Sequence, residues 1–220
     1  MRLFKKKTKL ELYTEKEEAI VEAHITKYFG KYDMVYHELA LPDIRCDVAQ
    51  IPPSPGRDFV TLVTMGAGAH KMSIPKRLRE DVFCRAEYII TLPPNRTKEK
   101  HAVIANYWPL DLLRNVARLP IRYNTFVHYM HTLSNDAKNS PYSDDTKLCS
   151  AVVNFPVQFG DDSSSLATIL PNGEAVAFWQ LIPIYESELA LAQTEGSDAL
   201  IDLLGDIVMR PVDINRPAVV

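Results

Sequence analysis

Short apolar runs recur along this chain, each cut off by proline, glycine or a polar turn. They are DMVYHEL (33–39), IRCDVAQI (44–51), DFVTLVTM (58–65), FCRAEYIITL (83–92), TFVHYMHTL (125–133), KLCSAVVNF (147–155) and AVAFWQLIPIY (175–185). Punctuation such as PPSPG and PP between them is what strands require, because proline and glycine end ladders and set turns. Helical patterns lie among them. Thr14 is placed to N-cap TEKEEAIVEAHITKYFG, with Glu17 completing a capping box, Val21, Ile25, Tyr28 and Phe29 at helical spacing, and Gly30 free to end it. YWPLDLLRNVARL carries Pro109 near its first turn and a stripe of Leu110, Leu113, Val116 and Ala117. ESELALAQTEGSDALIDLLGDI reads as two helical pieces broken near Gly196, while NDAKNSPYSDD and GDDSSS read as polar loops rather than linkers. Strands and helices neither alternate strictly nor separate, which predicts an α+β domain with a mixed or antiparallel sheet flanked by helices. The expected layout is a basic N-terminal tail over 1–13, one domain over 14–209 and a C-terminal tail over 210–220.

A chain of 220 residues, 46% hydrophobic and 24% charged, suffices for one sizeable core. Its net charge of −3 argues against nucleic acid as a partner, since phosphate binding needs a clustered basic surplus. The one basic run, RLFKKKTK from Arg2 to Lys9, precedes LELYTEKEEAIVEA, which is too charged for a signal-peptide core, so a solvated tail is expected. No run approaches about eighteen consecutive apolar residues, so no membrane span is expected. Cys46, Cys84 and Cys149 are odd in number, widely spaced and set in apolar runs. That pattern fits neither a disulfide framework nor zinc, and suits a reducing cytoplasm.

TLVTMGAGAHKMS (61–73) puts two glycines directly after a strand, where a phosphate cradle would stand. A dinucleotide fingerprint would need a third glycine where Lys71 stands and a helix behind it, and Pro75 disfavours that helix. The Lys-Ser/Thr pair of a P-loop is missing as well, so a turn is expected. His128 and His131 lie three apart in a strand-like run and would face opposite sides, which makes a poor metal site. Asp47 and Glu87 are different. A carboxylate inside an apolar strand is costly unless paired, so each is expected to meet an arginine, a histidine or backbone N–H groups. Arg45, Arg85 and His37 are the near candidates. Such acids can also serve as acid and base, although no nucleophile motif accompanies them.

The ordered blocks RCDVAQIPPSPGRDFVTLVTMGAGAHKM, RAEYIITLPP, YWPLDLLRNVARLP and FWQLIPIYESELALAQTEGSDALIDLL together resemble the suppressor-of-fused domain family, from about Asp33 to Leu204. The resemblance rests on an acid before the Thr-Leu-Val-Thr strand (Asp47) and on Gly66 and Met72 in the following loop. Glu87 with Leu92 and Pro93, Trp108 with Pro109, and Pro183 with Glu186 complete it. It implies that the glycine segment is a connection and that these positions serve structure or binding, with no catalytic residue, cofactor or metal. Animal relatives restrain a transcription factor in Hedgehog signalling with the help of a second lobe, for which this chain has no room. The present chain looks like the stand-alone bacterial type, associated with toxin systems as an immunity protein or antitoxin. The resemblance thus implies a cytoplasmic module that binds a protein partner. An enzyme using Asp47 and Glu87 is the alternative.

Overall fold

A computed structural model describes residues 9–40, 42–79, 81–94, 107–160 and 165–220 of the chain. Helix α1 (Glu15–Tyr28) starts where its cap directs. The Thr14 hydroxyl accepts from the Glu17 N–H at 3.4 Å, and the Glu17 carboxylate accepts from the Thr14 N–H at 2.8 Å, so two otherwise orphaned donors are satisfied. Gly30, at φ +121°, turns the chain out of the helix.

Strands β1 (Met34–Tyr36), β2 (Asp47–Ile51), β3 (Val60–Met65) and β4 (Arg85–Leu92) follow as an antiparallel series. After helix α2 (Trp108–Tyr123) come β5 (Thr132–Ser134), β6 (Ser150–Asn154), β7 (Ala167–Ile169) and β8 (Ala175–Ile184). The sheet order is β1-β2-β3-β4-β8-β6-β5, with β7 also paired to β8. The β4–β8 pair is parallel, from Arg85↔Val176 to Ile89↔Gln180, which makes the sheet mixed. Helices α3 (Glu186–Glu195) and α4 (Ser197–Leu204) end the fold, broken at Gly196. The α+β expectation therefore stands.

Alternation along β8 divides the core. Ala177, Trp179 and Leu181 pack with Val48, Leu62, Tyr88 and Ile90 beneath the Leu110, Leu113, Val116 and Ala117 stripe of α2. On the other face Val176 and Phe178 meet Val21, Ile25 and Phe29 of α1 and its exit, while Ile182 and Ile184 meet Leu189 and Leu200 of α3 and α4. Each fully buried side chain of this kind contributes about 1.5–3 kcal/mol.

Two expectations are corrected. The 125–133 run is a strand only over Thr132–Ser134. Met130 has φ +68°, Val127 donates its N–H to the Met72 sulfur at 3.4 Å, and Met130 donates to the Val153 carbonyl at 2.9 Å. Its apolar residues serve packing rather than a ladder. The turn also brings His128 and His131 onto one side, with ring centroids 6.5 Å apart. Helix α2 runs past Leu119 through Pro120, whose carbonyl accepts from Asn124 and Thr125 in the closing turn.

The basic run up to Thr8 lies outside the described residues, as does most of GDDSSS. Beyond Arg210 the chain runs back along the sheet. Val212 donates its N–H to the Thr91 carbonyl, and the buried Arg216 guanidinium grips Glu188 at 2.6 Å. Among the described residues no helix is long and apolar enough to cross a membrane.

Candidate functional site

The glycine segment does bind an anion, and the anion is the protein's own. The β3–β4 ladder registers only as far as Val63↔Ile89. Beyond it β3 turns through Gly66, at φ +116°, into a 3-10 turn over Ala67–Ala69. This points three successive N–H groups at Glu87: Gly66 donates at 3.0 Å, Ala67 at 3.2 Å and Gly68 at 3.0 Å. Such a run of N–H groups is an anion-binding nest. The Thr64 hydroxyl also donates to Glu87, while its oxygen accepts from the Tyr88 N–H at 2.9 Å, replacing the ladder bond. The Tyr13 hydroxyl adds a fifth donor at 2.9 Å.

Glu87 is fully buried. Burial pushes its carboxyl up from the ordinary range, and the bonds from Thr64, Gly68, Gly66 and Tyr13 pull against that push. Arg85, an expected partner, is engaged elsewhere. It donates to the Gly68 and Ala69 carbonyls at 2.9 and 2.7 Å, closing the far side of the turn, and to Glu174 at 2.7 Å. Lys71 and Arg85 together hold the Glu174 carboxyl down at about 2.

Asp47 meets the partners that its neighbourhood suggested. His37 Nδ1 lies 3.0 Å from Oδ2, Arg45 Nε lies 3.5 Å from the same oxygen, and the Glu38 N–H donates to Oδ1 at 2.9 Å. The structure does not bring Asp47 and Glu87 together as an acid–base pair. They sit on β2 and β4 with β3 between them and have separate partner sets.

Asp47 instead faces a groove of about 500 Å³ between α1 and the β1–β2 end of the sheet. One wall is the α1 face that carries Glu15, Glu18 and Glu22. The other is the β1–β2 side with His37, Glu38 and Arg45; Val21 of α1 and Val35 and Met65 of the sheet add apolar lining, and Leu12 and Tyr13 line it from the segment before α1. Arg45 spans the groove, donating to Glu18 at 2.7 Å while it pairs with Asp47. Helix α2 fixes the outer wall from beneath. Its buried Arg118 donates to Glu38 at 2.7 Å and to Asp43 at 2.9 Å, and Arg114 donates to the Tyr36 carbonyl at 2.9 Å. Strand β1, at the end of the sheet order, borders the groove.

The remaining positions singled out in the sequence lie apart from this groove. Met72 is buried against Val127. Pro93 follows β4 and is half-buried. Trp108 and Pro109 open α2, with Trp108 stacked on Tyr142 at 5.1 Å. Pro183 lies in β8, where its carbonyl accepts from Arg216 at 3.2 Å. Glu186 is exposed at the start of α3 and accepts from Asn139 at 3.3 Å. Sequence reasoning missed the acid face of α1, although Glu15, Glu18 and Glu22 share one side at spacings of three and four in a helix already assigned.

The family model described as Suppressor of fused protein matches residues 42–217. The chain is 26% identical over 211 residues to an uncharacterised protein of Ureaplasma parvum serovar 3, covering 94% of this chain and 98% of that one. Its fold is similar to a SUFU homologue of Neisseria gonorrhoeae FA 1090, with a TM-score of 0.64 at 18% identity over 93% of this chain and 97% of that one. A chain of the Sufu–Fu complex gives a TM-score of 0.64 at 15% identity over 94% and 93%. Drosophila Suppressor of Fused gives 0.57 at 14% identity, over 93% of this chain and 51% of that one.

Proposed function

The chain belongs to the suppressor of fused family, and on that footing we propose that it is a protein-binding module that neutralises a cognate toxin by stoichiometric binding, as an immunity protein or antitoxin. The observation that carries the reading is the groove beside β1. An immunity-type protein works by occlusion and needs a shaped, charged surface rather than a reaction centre. A sheet-edge strand next to a groove offers such a surface, because a partner's extended segment adds to it through main-chain bonds and the groove selects side chains. The Sufu–Fu complex is a precedent for a similar fold assembled with a protein. Glu87, spent on five donors inside the sheet, serves rigidity in this reading. The thiols left free at Cys46, Cys84 and Cys149 suit a reducing cytoplasm.

The test is titration of the purified chain against the toxin captured with it from host extract. Toxicity should fall linearly and end near an equimolar ratio. Silencing by trace amounts that persists after the chain is removed would mean that it modifies its target.

One observation favours a second reading, an enzyme. His37 Nδ1 is engaged by the nearly buried Asp47 while the ring is 71% exposed in the groove, the arrangement of a carboxylate-oriented general base. His37→Ala separates the two by stoichiometry, because it would abolish silencing by trace amounts, whereas a binder weakened by loss of this groove residue still reaches its endpoint near an equimolar ratio when titrated well above its dissociation constant.

A further inference from the structure

We infer that the groove between α1 and β1 takes an extended segment of the partner that carries lysine or arginine at alternate positions; this rests on the protein-binding reading. Three features of the groove choose that occupant over an acidic or a purely apolar one.

The first is what the groove already holds. The Arg45 guanidinium lies across it between Glu18 and Asp47, so the site accepts a planar cation with a carboxylate on either side. The second is what is left over. Among the described residues Glu15 has no ion pair, and Glu22 accepts only from the Tyr32 hydroxyl. These carboxylates stand on the same α1 face as Glu18, and an incoming cation finds attraction there where an incoming carboxylate meets repulsion.

The third is spacing. Side chains at i and i+2 of an extended segment point the same way about 6.6 Å apart. The rise from Glu15 to Glu22 along α1 is about 10 Å, seven residues at 1.5 Å each, which falls between one and two such steps and within reach of flexible lysine or arginine stems. Two cations on one side of an extended segment therefore reach Glu15 and Glu22, on either side of the Arg45-bound Glu18, and the intervening apolar side chains turn away from α1 towards the β1–β2 side, where Val35 and Met65 line the groove.

The probe is a synthetic peptide, acetyl-Val-Lys-Val-Lys-Val-Lys-Val-amide, with the same sequence carrying glutamate as its counterpart, titrated into the isotope-labelled chain and followed by amide chemical shifts. The lysine peptide should move the resonances of Val35, Asp47 and the first half of α1, and the glutamate peptide should not. The Glu15→Gln/Glu22→Gln double variant should weaken the lysine peptide roughly tenfold, the sum of two partly exposed ion pairs. Shifts elsewhere on the molecule, equal binding of both peptides, or unchanged affinity in the variant would overturn the inference. The same variant, titrated against the toxin, keeps the two readings distinguishable. If it silences toxin as the unaltered chain does, the groove is not the contact and the binding module stands. If the unaltered chain fails to silence, the immunity reading falls whatever the peptide does.

Discussion

The Tyr13 hydroxyl donates to Glu87 Oε1 at 2.9 Å, joining the approach to α1 to the centre of the sheet across 74 positions of sequence. Burial and the nearby Glu87 carboxylate both push the Tyr13 hydroxyl well up, so it keeps its proton and remains a donor. Tyr13 also lines the groove. A single bond thus couples a fully buried acid to the lining of the candidate binding surface.

Glu87→Ala is expected to cost on the order of 3–5 kcal/mol, because it strands buried donors and leaves a void. Tyr13→Phe removes one donor of five, and a cost of about 1–2 kcal/mol is expected. Urea midpoints measure both. An unchanged midpoint for Glu87→Ala would mean that the carboxylate does not organise the fold, and loss of an activity with it would favour the enzyme reading.

Gly66→Ala is expected to be far more damaging than Gly56→Ala. Both glycines have positive φ, +116° and +83°, so each alanine bears backbone strain of about 1 kcal/mol. A Cβ at Gly56 would meet nothing within 4 Å, whereas one at Gly66 would stand 2.0 Å from the Arg45 carbonyl oxygen. The backbone must then move, and the Gly66 N–H leaves Glu87. Thermal midpoints of the two variants should differ by several degrees, and equal midpoints would contradict the close approach.

What was legible in the sequence is what local chemistry encodes. The α1 cap could be read because Thr14 and Glu17 satisfy each other within one turn, and the α3–α4 break because Gly196 supplies a positive φ of +100°. His37 and Arg45 could be guessed for Asp47 because they lie on the same loop and strand. Glu87 could be marked as needing partners, but three of its five donors are main-chain N–H groups, which no residue type announces. Arg118 meets Glu38 across 80 positions, a pairing that only the packed sheet creates. The 125–131 stretch was misread because β-branched and aromatic residues suit any half-buried surface, and a strand is only one of these.

Arg118→Ala tests the support beneath the groove. Glu38 and Asp43 would lose their cation in a buried setting, so a cost of about 3–5 kcal/mol is expected. Arg118→Met keeps the stem's packing and removes the same charge. Its midpoint should fall nearly as far if the ion pairs matter, and should stay near that of the unaltered chain if packing alone does.

Glu174 sets an acid-side expectation. Its carboxyl is held at about 2, below the ordinary value of 4.5, chiefly by bonds from Lys71 and then Arg85. The folded chain therefore binds fewer protons than the unfolded one between those values. The pairing's stabilisation is present in full above about pH 4.5 and is lost as pH falls towards 2. Urea midpoints recorded across that window should decline less steeply for Glu174→Gln than for the unaltered chain. Parallel slopes would show that the pair contributes no stability.

The occupied cradle makes a last expectation about ligands. A nest at the end of a strand binds phosphate when its N–H groups face open space. Here the Gly66, Ala67 and Gly68 N–H groups are all engaged by Glu87, and a Cβ on Gly68 would meet the Tyr13 hydroxyl at 2.2 Å, so no room remains for a phosphate to approach. A nucleotide would have to displace a fully buried carboxylate and leave it without its donors, at a cost well above what phosphate contacts return. ATP, GTP and NAD at millimolar concentration should therefore leave the melting temperature of the chain unchanged, since a ligand that prefers the native state must raise it. A nucleotide-dependent rise that vanishes in Gly68→Val, with the apo variant still folded by circular dichroism, would show that Glu87 yields the cradle and that the glycine segment is a phosphate site after all.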